Sequence, residues 1–424
     1  MKGLISNFRR FFLKVFMFSY YGFLSYRDSI KTKRFADVKH EKEFIQGNVM
    51  LLALYEKTIL RNDTIELLKE AKRQNIFIIA VNTLKLSADN HQSELIDVYI
   101  ERDNFGRDFG SYQEGMKYFY RKKIADKCER LLIINDSVFF SKKGLPKFLN
   151  ELFDDKVEVL GATENREISH HLGSFCIAVD GRIAKNIRFE NYWKNYKSSN
   201  VRPLVIKRGE FTLSKVLKSL VSTENNFKAI YDVGFFEGAL SHDYELFRDY
   251  YYYRREGARR YWTNSYLMEY FEHDFVLKSF YDEYIDQIKK ESELLESSKY
   301  EHKEKSEDKK VDFVSFATFM SSVNFDTLAH GRVLKQRLLS IYLDDFTRGS
   351  QIHNNCISLH RLGLPIIKLD LLYRSVCNFN DLIKIKEQLD ESQQEEFMTL
   401  MTNRLSGEKF LFGLNRKAFD CGIL

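Results

Sequence analysis

The chain has 424 residues, of which 44% are hydrophobic and 30% charged, and carries a net charge of +6. That balance excludes a disordered or collagen-like chain and predicts about two or three packed domains of roughly 150 residues. The excess charge is too small and too evenly spread to mark a nucleic-acid binder, and three prolines argue against long Pro-rich linkers.

The N-terminal stretch "MKGLISNFRRFFLKVFMFSYYGFLSYR" holds Lys2, Arg9, Arg10, Lys14 and Arg27, with no acid before Asp28. Its charges interrupt the apolar core that a signal peptide needs. No apolar run in the chain reaches the ~20 residues of a membrane span. A basic, aromatic-rich helix can instead lie in a membrane interface and be drawn to anionic lipid, or pack on the protein's own body. Residues 1–45 are therefore read as a separate segment suited to the inner face of a membrane.

From about residue 46 the texture changes. "NVMLLALYE" and "IFIIAVNT" are short apolar runs suited to buried strands, and "NDTIELLKEAKRQN" between them spaces Ile65, Leu67, Leu68 and Ala71 for one helical face. Strand, helix and strand within about 35 residues predict a βαβ unit and a parallel sheet. "IDVYIERDNFG", "LLIIND", "VEVLGAT" and "SFCIAVD" continue as strands, with helices at "SYQEGMKYFYRKKIADK" and "LPKFLNELF". Residues 46–265 thus read as an α/β domain of Rossmann-like pattern. The highly charged 266–310 reads as an exposed helix running into a linker, and 311–424 as mainly helical, except "LGLPIIKLDLL". The five cysteines form no CxxC pair and are odd in number, which predicts reduced thiols in a cytoplasmic protein and no zinc site.

Ligands in open parallel sheets bind at the carboxyl ends of strands, near a switch in strand order. Three polar clusters meet that test. In "RDNFGRDFGSYQEG", glycines that allow close backbone approach, Gly106 among them, accompany Asn104, Arg107 and Asp108, a set able to hold a nucleotide or to shape an ordinary strand-to-helix loop. Asn135, Asp136 and Ser137 end an apolar strand with oxygens that suit a hard cation such as Mg²⁺ or Mn²⁺, or a turn. Further on, His170 and His171 precede a glycine and a strand, and Glu210 follows a glycine ahead of a helix. A carboxylate there can act as a general base or simply suit a helix's first turn.

In order along the chain, "RDNFGRDFGSYQEGMKYF", "LLIINDSVFF", "VEVLGATENREISHHLGSF", "RFENYWKNY", "VIKRGEFTLSKVL" and the late "NNCISLHRLGLPIIKLDLLYRS" resemble the rhamnan synthesis protein F family of polysaccharide glycosyltransferases. The resemblance covers roughly residues 46–220 and 347–376. It implies a GT-A-like, mostly parallel sheet flanked by helices, and transfer of a sugar, often rhamnose, from a nucleotide-sugar donor. The implied acceptor is a lipid-linked or polysaccharide glycan of an O-antigen, capsule or cell wall.

By the family's order, Asn135-Asp136-Ser137 takes the metal- and diphosphate-holding place, with Asp136 as metal ligand. Glu210 takes the base place of an inverting enzyme. Asn104, Gly106 and Asp108 meet the nucleotide, joined by Arg107, while His170 or His171 contacts diphosphate or acceptor. The tripeptide has one carboxylate where two are usual, so a Mg²⁺ or Mn²⁺ ion there needs the diphosphate and another ligand to complete its shell. Two rival readings of the same site are a nucleotidyl- or phosphosugar-transferase and a non-catalytic glycan-binding or assembly subunit.

Overall fold

The computed structural model describes residues 2–32, 36–154, 156–254, 270–296, 318–321, 331–404 and 406–424. A long helix, α1 (Lys2–Lys31), opens the chain. Strand β1 (Asp37–Glu41) then joins the edge of a nine-stranded sheet, antiparallel to β4 (Val98–Glu101). The predicted βαβ unit is present as β2 (Gly47–Leu54), α2 (Asn62–Arg73) and β3 (Phe77–Asn82), with β2 and β3 parallel. After β4 come α3 (Arg107–Arg121), β5 (Cys128–Asn135), the short β6 (Val138–Phe140) and α4 (Leu145–Asp154). Next are β7 (Val159–Asn165), β8 (His171–Leu172) and β9 (Cys176–Asp180).

The sheet runs β1-β4-β3-β2-β5-β9-β7 and closes on β10 (Phe227–Tyr231). Strands β4, β3, β2 and β5 are mutually parallel, and β9 is antiparallel between β5 and β7. The chain builds outward from β2 through β3 to β4, then returns to lay β5 on the other side of β2. The crevice beyond the carboxyl ends of β2 and β5 is therefore the topological switch point.

Alternate residues of β2 feed two cores, because successive strand side chains point to opposite faces. Val49, Leu51 and Ala53 pack with Phe109, Tyr112 and Met116 of α3 and with Trp193 of a later helix, α6 (Ile187–Asn195), which follows the single turn α5 (Gly181–Ala184). Met50, Leu52 and Leu54 pack with α2 and α4 and, beyond them, with Leu334, Leu338 and Ile352 from the last hundred residues. Burial on both faces explains why these strands read as unbroken apolar runs.

Between β9 and β10 the chain forms α7 (Arg202–Val205), a π-helical turn (Ile206–Phe211) and α8 (Thr212–Lys218). Glu210 lies inside the π turn directly ahead of α8, and the helical run as a whole begins at Arg202, where Pro203 suits a first turn.

After β10 come α9 (Val233–His242) and α10 (Tyr244–Tyr253), then α11 (Phe275–Glu296) and α12 (Gly331–Phe346). Residues 266–269 and 297–310 of the charged stretch lie outside the described residues. Rings of Phe236 and Phe346 stack at 4.0 Å, and the buried Arg254–Asp345 pair ties α10 to α12. Helices α13 (Gln351–Asn354) and α14 (Cys356–Arg361) then lead into β11 (Ile366–Lys368), which pairs antiparallel with β6. Helices α15 (Phe379–Lys386), α16 (Gln394–Thr402), α17 (Gly407–Phe410) and α18 (Gly413–Asp420) finish a mainly helical C-terminal region.

Candidate functional site

The three residues that end β5 diverge because consecutive extended residues point to opposite sides. Asn135 turns toward α3, where its Nδ2 donates to Asp108 Oδ2 at 3.2 Å. Its Oδ1 accepts from the Ser137 hydroxyl at 2.6 Å and from Ser137 N–H at 3.2 Å. Asp136 turns the other way, into the protein. Its Oδ2 accepts Tyr55 N–H at 2.5 Å, joining the ends of β5 and β2.

Behind Asp136 lies an acidic network around one guanidinium. Arg61 Nε stands 2.9 Å from Glu56 and 3.1 Å from Asp63. Asp63 Oδ2 accepts Phe140 N–H at 2.9 Å, so the network also anchors β6. Burial raises the carboxyls of Glu56, Asp63 and Asp136 above the usual carboxylate range, and Arg61 only partly offsets it. Three acids around one cation in a dry site cannot all be ionised cheaply, so the network carries a proton near neutrality.

Ser137 meets a residue from the far end of the chain. Because β11 lies along β6, Lys368 is carried to the tip of β5, where its ammonium donates to Ser137 Oγ at 2.7 Å and rests 5.1 Å from the centre of the Phe175 ring. Leu369 N–H donates to Ser137 O at 3.2 Å, fixing this register. Two residues on, Asp370 takes a hydrogen bond from His353 Nε2 at 2.8 Å and another from Arg374 Nε. Burial opposes the charge on Asp370, but His353 and Arg374 outweigh it and hold its carboxyl well below the usual range. His353 is itself pushed down by burial. A neutral ring that donates from Nε2 and accepts the Ser350 hydroxyl at Nδ1 satisfies both of its bonds.

The loop before α3 is held by Arg102, which donates to the carbonyls of Asp103, Phe105 and Arg107 and to Ser111 Oγ. Gly106 has φ +88°, and a Cβ on it would lie 2.7 Å from Ser198 Cβ. Its N–H donates to Asn200 Oδ1 at 2.8 Å, and Arg107 Nε donates to Asn200 O at 3.0 Å. Arg107 itself has φ +54°, a left-handed conformation unusual outside glycine. Arg202 starts the helical run two residues past Asn200.

Glu210 is part-exposed in the π turn, and short π segments recur at functional sites. Ser174 donates its hydroxyl to Glu210 Oε1 at 2.8 Å, and His171 Nε2 stands 4.0 Å from Oε2. Ser174, which holds Glu210, precedes Phe175, whose carbonyl accepts Asn135 N–H at 3.2 Å and whose ring centre lies 5.1 Å from the Lys368 ammonium, so Glu210 borders the same end of β5.

Of the residues singled out from sequence, the structure therefore gathers Arg107, Asp108, Asn135, Ser137, His171 and Glu210. Gly106 shapes the loop through Asn200, and Asn104 is solvent-exposed beside it. His170 is turned away: its Nε2 meets Glu164 at 2.7 Å and its ring stands edge-on to Phe227. Lys368, Asp370, Arg374, His353 and Arg202 were not foreseen as site residues, although "LGLPIIKLDLL", which holds Lys368 and Asp370, stood out as an exception to the helical pattern.

The residues do not fit a divalent cation at the tripeptide. Asp136 Oδ2 accepts Tyr55 N–H, Asn135 Oδ1 already accepts two bonds, and Ser137 receives an ammonium. Among the described residues no three His, Cys, Asp or Glu side chains gather as a metal site.

The fold and cleft define an α/β protein with a mixed-charge polar site at the switch point of a mostly parallel sheet. Within that class, the model of the rhamnan synthesis protein F family matches residues 76–251, so the motif resemblance holds over that segment and supports a glycosyltransferase role. The chain is 25% identical over 202 residues to the uncharacterized protein y4gN of Sinorhizobium fredii (strain NBRC 101917 / NGR234), covering 45% of this chain and 52% of that protein. It is 39% identical over 79 residues to virulence protein VirA of Vibrio anguillarum, covering 19% of this chain and 24% of that protein. The match thus spans about half of the first relative's length and about a quarter of the second's.

Two solved structures overlap loosely with the chain. The glycosyltransferase GlyE of Streptococcus pneumoniae TIGR4 has a TM-score of 0.25 and 11% identity, over 48% of this chain and 52% of that one. The mannosyltransferase PcManGT of Pyrobaculum calidifontis, in complex with GDP-Man and Mn²⁺, has a TM-score of 0.25 and 9% identity, over 80% and 97%.

Proposed function

We propose that residues 46–265, completed by the closing segment around Lys368, form a GT-A-type transferase that moves a sugar from a nucleotide-sugar donor to a hydroxyl of a bacterial surface glycan. The observation that carries this reading is the meeting of Asn135, Ser137, Asp108 and Lys368 at the carboxyl end of β5, with Glu210 joined to them through Ser174 and Phe175.

Glu210 accepts the proton of the acceptor hydroxyl. The freed oxygen attacks the anomeric carbon, and the bond to the diphosphate breaks with its electron pair leaving on the nucleoside diphosphate. Ser174 steers one carboxylate oxygen so that the other points to the acceptor, and His171 lies beside that second oxygen. Attack opposite the leaving group gives inversion. Rhamnose as the sugar, and O-antigen, capsule or cell-wall glycan as the product, follow from the family resemblance.

Position at the inner face of a membrane has its own support. Helix α1 buries the stripe Met17 and Ser25, flanked by the partly buried Leu13 and Tyr21, while Phe8, Phe11, Phe12, Phe16 and Phe23 stay more than half exposed among Arg9, Arg10 and Lys14. No helix among the described residues is long and apolar enough to cross a membrane. An apolar, cationic face of this kind suits the interface of an anionic bilayer, where a lipid-linked acceptor would reside.

The test is a panel of UDP-, GDP-, dTDP- and CMP-sugars, scored for thermal stabilisation and for slow donor hydrolysis. Glu210→Gln is expected to lower transfer by about 10²–10⁴-fold while donor-induced stabilisation persists. Wild-type turnover in that variant would remove Glu210 as the base, and no stabilisation by any donor would remove the donor site.

A further inference from the structure

Basic side chains from three distant parts of the sequence converge on the switch-point cleft. Lys368 caps Ser137, Arg374 lies beyond it against Asp370, and Arg107 is bound to the Asn200 loop that leads directly to Arg202. Among the described residues the Arg202 side chain makes no hydrogen bond or ion pair. Burial and then Arg374 push Arg202 down to about 10, against Asp370 and Glu210, and burial lowers Arg107, where Asp108 opposes it.

The carboxylates nearby, the ionised Asp370 and Glu210 among them, offset only part of this charge. Asp370 is committed to His353 and Arg374, and burial pushes Asp108 up toward its neutral acid. Like charges held together in a partly dry cleft cost free energy unless an anion completes them.

We propose that Arg107, Arg202, Lys368 and Arg374 form a cationic clamp for the diphosphate of the donor, in place of a divalent cation at Asp136. The proposal rests on the transferase reading above. A metal bound by Asn135 and Ser137 would meet the Lys368 ammonium, which already occupies Ser137 Oγ at 2.7 Å. The same ammonium, moved by one bond rotation onto a phosphate oxygen, neutralises the charge that develops on the leaving group. The guanidinium groups add planar, paired donors suited to phosphate. Asp136 becomes a positioning residue that fixes Tyr55 and the end of β2.

The test uses the full chain and inorganic pyrophosphate, which carries the diphosphate without base or sugar, by isothermal titration in EDTA and again with Mn²⁺. We expect equal affinity in both. Lys368→Met and Arg374→Met should each weaken binding about 10- to 100-fold, with Lys368→Arg retaining most of it. Thermal unfolding checks that each variant folds, and Arg202→Met, which removes no described side-chain bond, provides an independent variant expected to weaken binding about tenfold.

Pyrophosphate binding that needs Mn²⁺, or binding in neither condition, overturns the clamp. The same two conditions are run with the nucleotide-sugar panel. Nucleotide-sugar binding only with Mn²⁺ overturns the clamp and leaves the transferase reading standing. Pyrophosphate binding in EDTA without any nucleotide-sugar binding supports the clamp as an anion site and removes the transferase reading.

Discussion

Gly209 gives the most direct handle on how the fold sets the position of Glu210. A Cβ added there would lie 2.6, 2.6 and 2.8 Å from three ring carbons of Phe109. Carbon atoms rest at about 3.5–4.0 Å, so the π turn and the ring would have to part by about 1 Å. The ring has little freedom: Phe109 is 2% exposed, with Tyr196 at 5.3 Å, Tyr112 at 5.6 Å and Trp193 at 6.1 Å around it. The turn therefore gives way, and Glu210 moves with it.

Overpacking of this severity costs about 3 kcal/mol, and alanine's better helix propensity returns about 1, leaving a net loss of about 2 kcal/mol. At about 2.1 cal/mol/K of unfolding entropy per residue, Gly209→Ala in a 424-residue chain unfolding as one unit should lower Tm by roughly 2 °C. A 1 Å shift of Glu210, the proposed base, should cut transfer on the order of 10²-fold, far more than the stability change would suggest. Adding Phe109→Leu, which vacates the contested space, should restore part of both. Differential scanning calorimetry and initial transfer rates measure the two effects. Unchanged Tm and turnover in Gly209→Ala, or a loss that Phe109→Leu does not relieve, would refute the coupling.

The acidic network predicts a pH dependence of stability. Burial pushes Glu56 up to about 8, so its contribution is fully present below the ordinary carboxylate value and is lost as pH rises through about 8. Glu56→Gln removes that titration; relative to wild type it should gain on the order of 3 kcal/mol between pH 5 and pH 9, read from urea unfolding, and parallel profiles would contradict it. For α1, replacing Phe11, Phe12 and Phe16 with Ser should abolish co-sedimentation with vesicles containing phosphatidylserine without altering Tm by more than about 1 °C, because these rings touch solvent. Equal binding by the variant would place the membrane contact elsewhere.

The parallel core was legible because β2, β3 and β5 are buried on both faces and so appear as continuous apolar runs of the right length. The polar end of β5 was legible for the same reason: Asn135 to Ser137 interrupt such a run. What side each residue takes was not. Strand alternation sends Asp136 inward to Tyr55, and separates His171 beside Glu210 from His170 beside Glu164. Lys368 and Arg374 stayed hidden because the β6–β11 pairing joins segments more than 220 residues apart, and nothing local in either announces the other. The π turn at Glu210 was equally hidden, since it depends on Gly209 meeting Phe109 across the core.

The loop 198–202 has contacts on both sides. Ser25 of α1 accepts Asn200 N–H at 3.0 Å, and Asn200 in turn accepts from Gly106 and Arg107 at the edge of the cleft. Arg202 N–H also donates to Ile423 O, next to the C-terminal helix on which α1 lies. Hydrogen bonds thus link α1 through Asn200 to the loop ahead of α3. A surface that captures the helix would also set the height and tilt of the cleft above it. An acceptor confined to that surface would then need to search only two dimensions to reach Glu210.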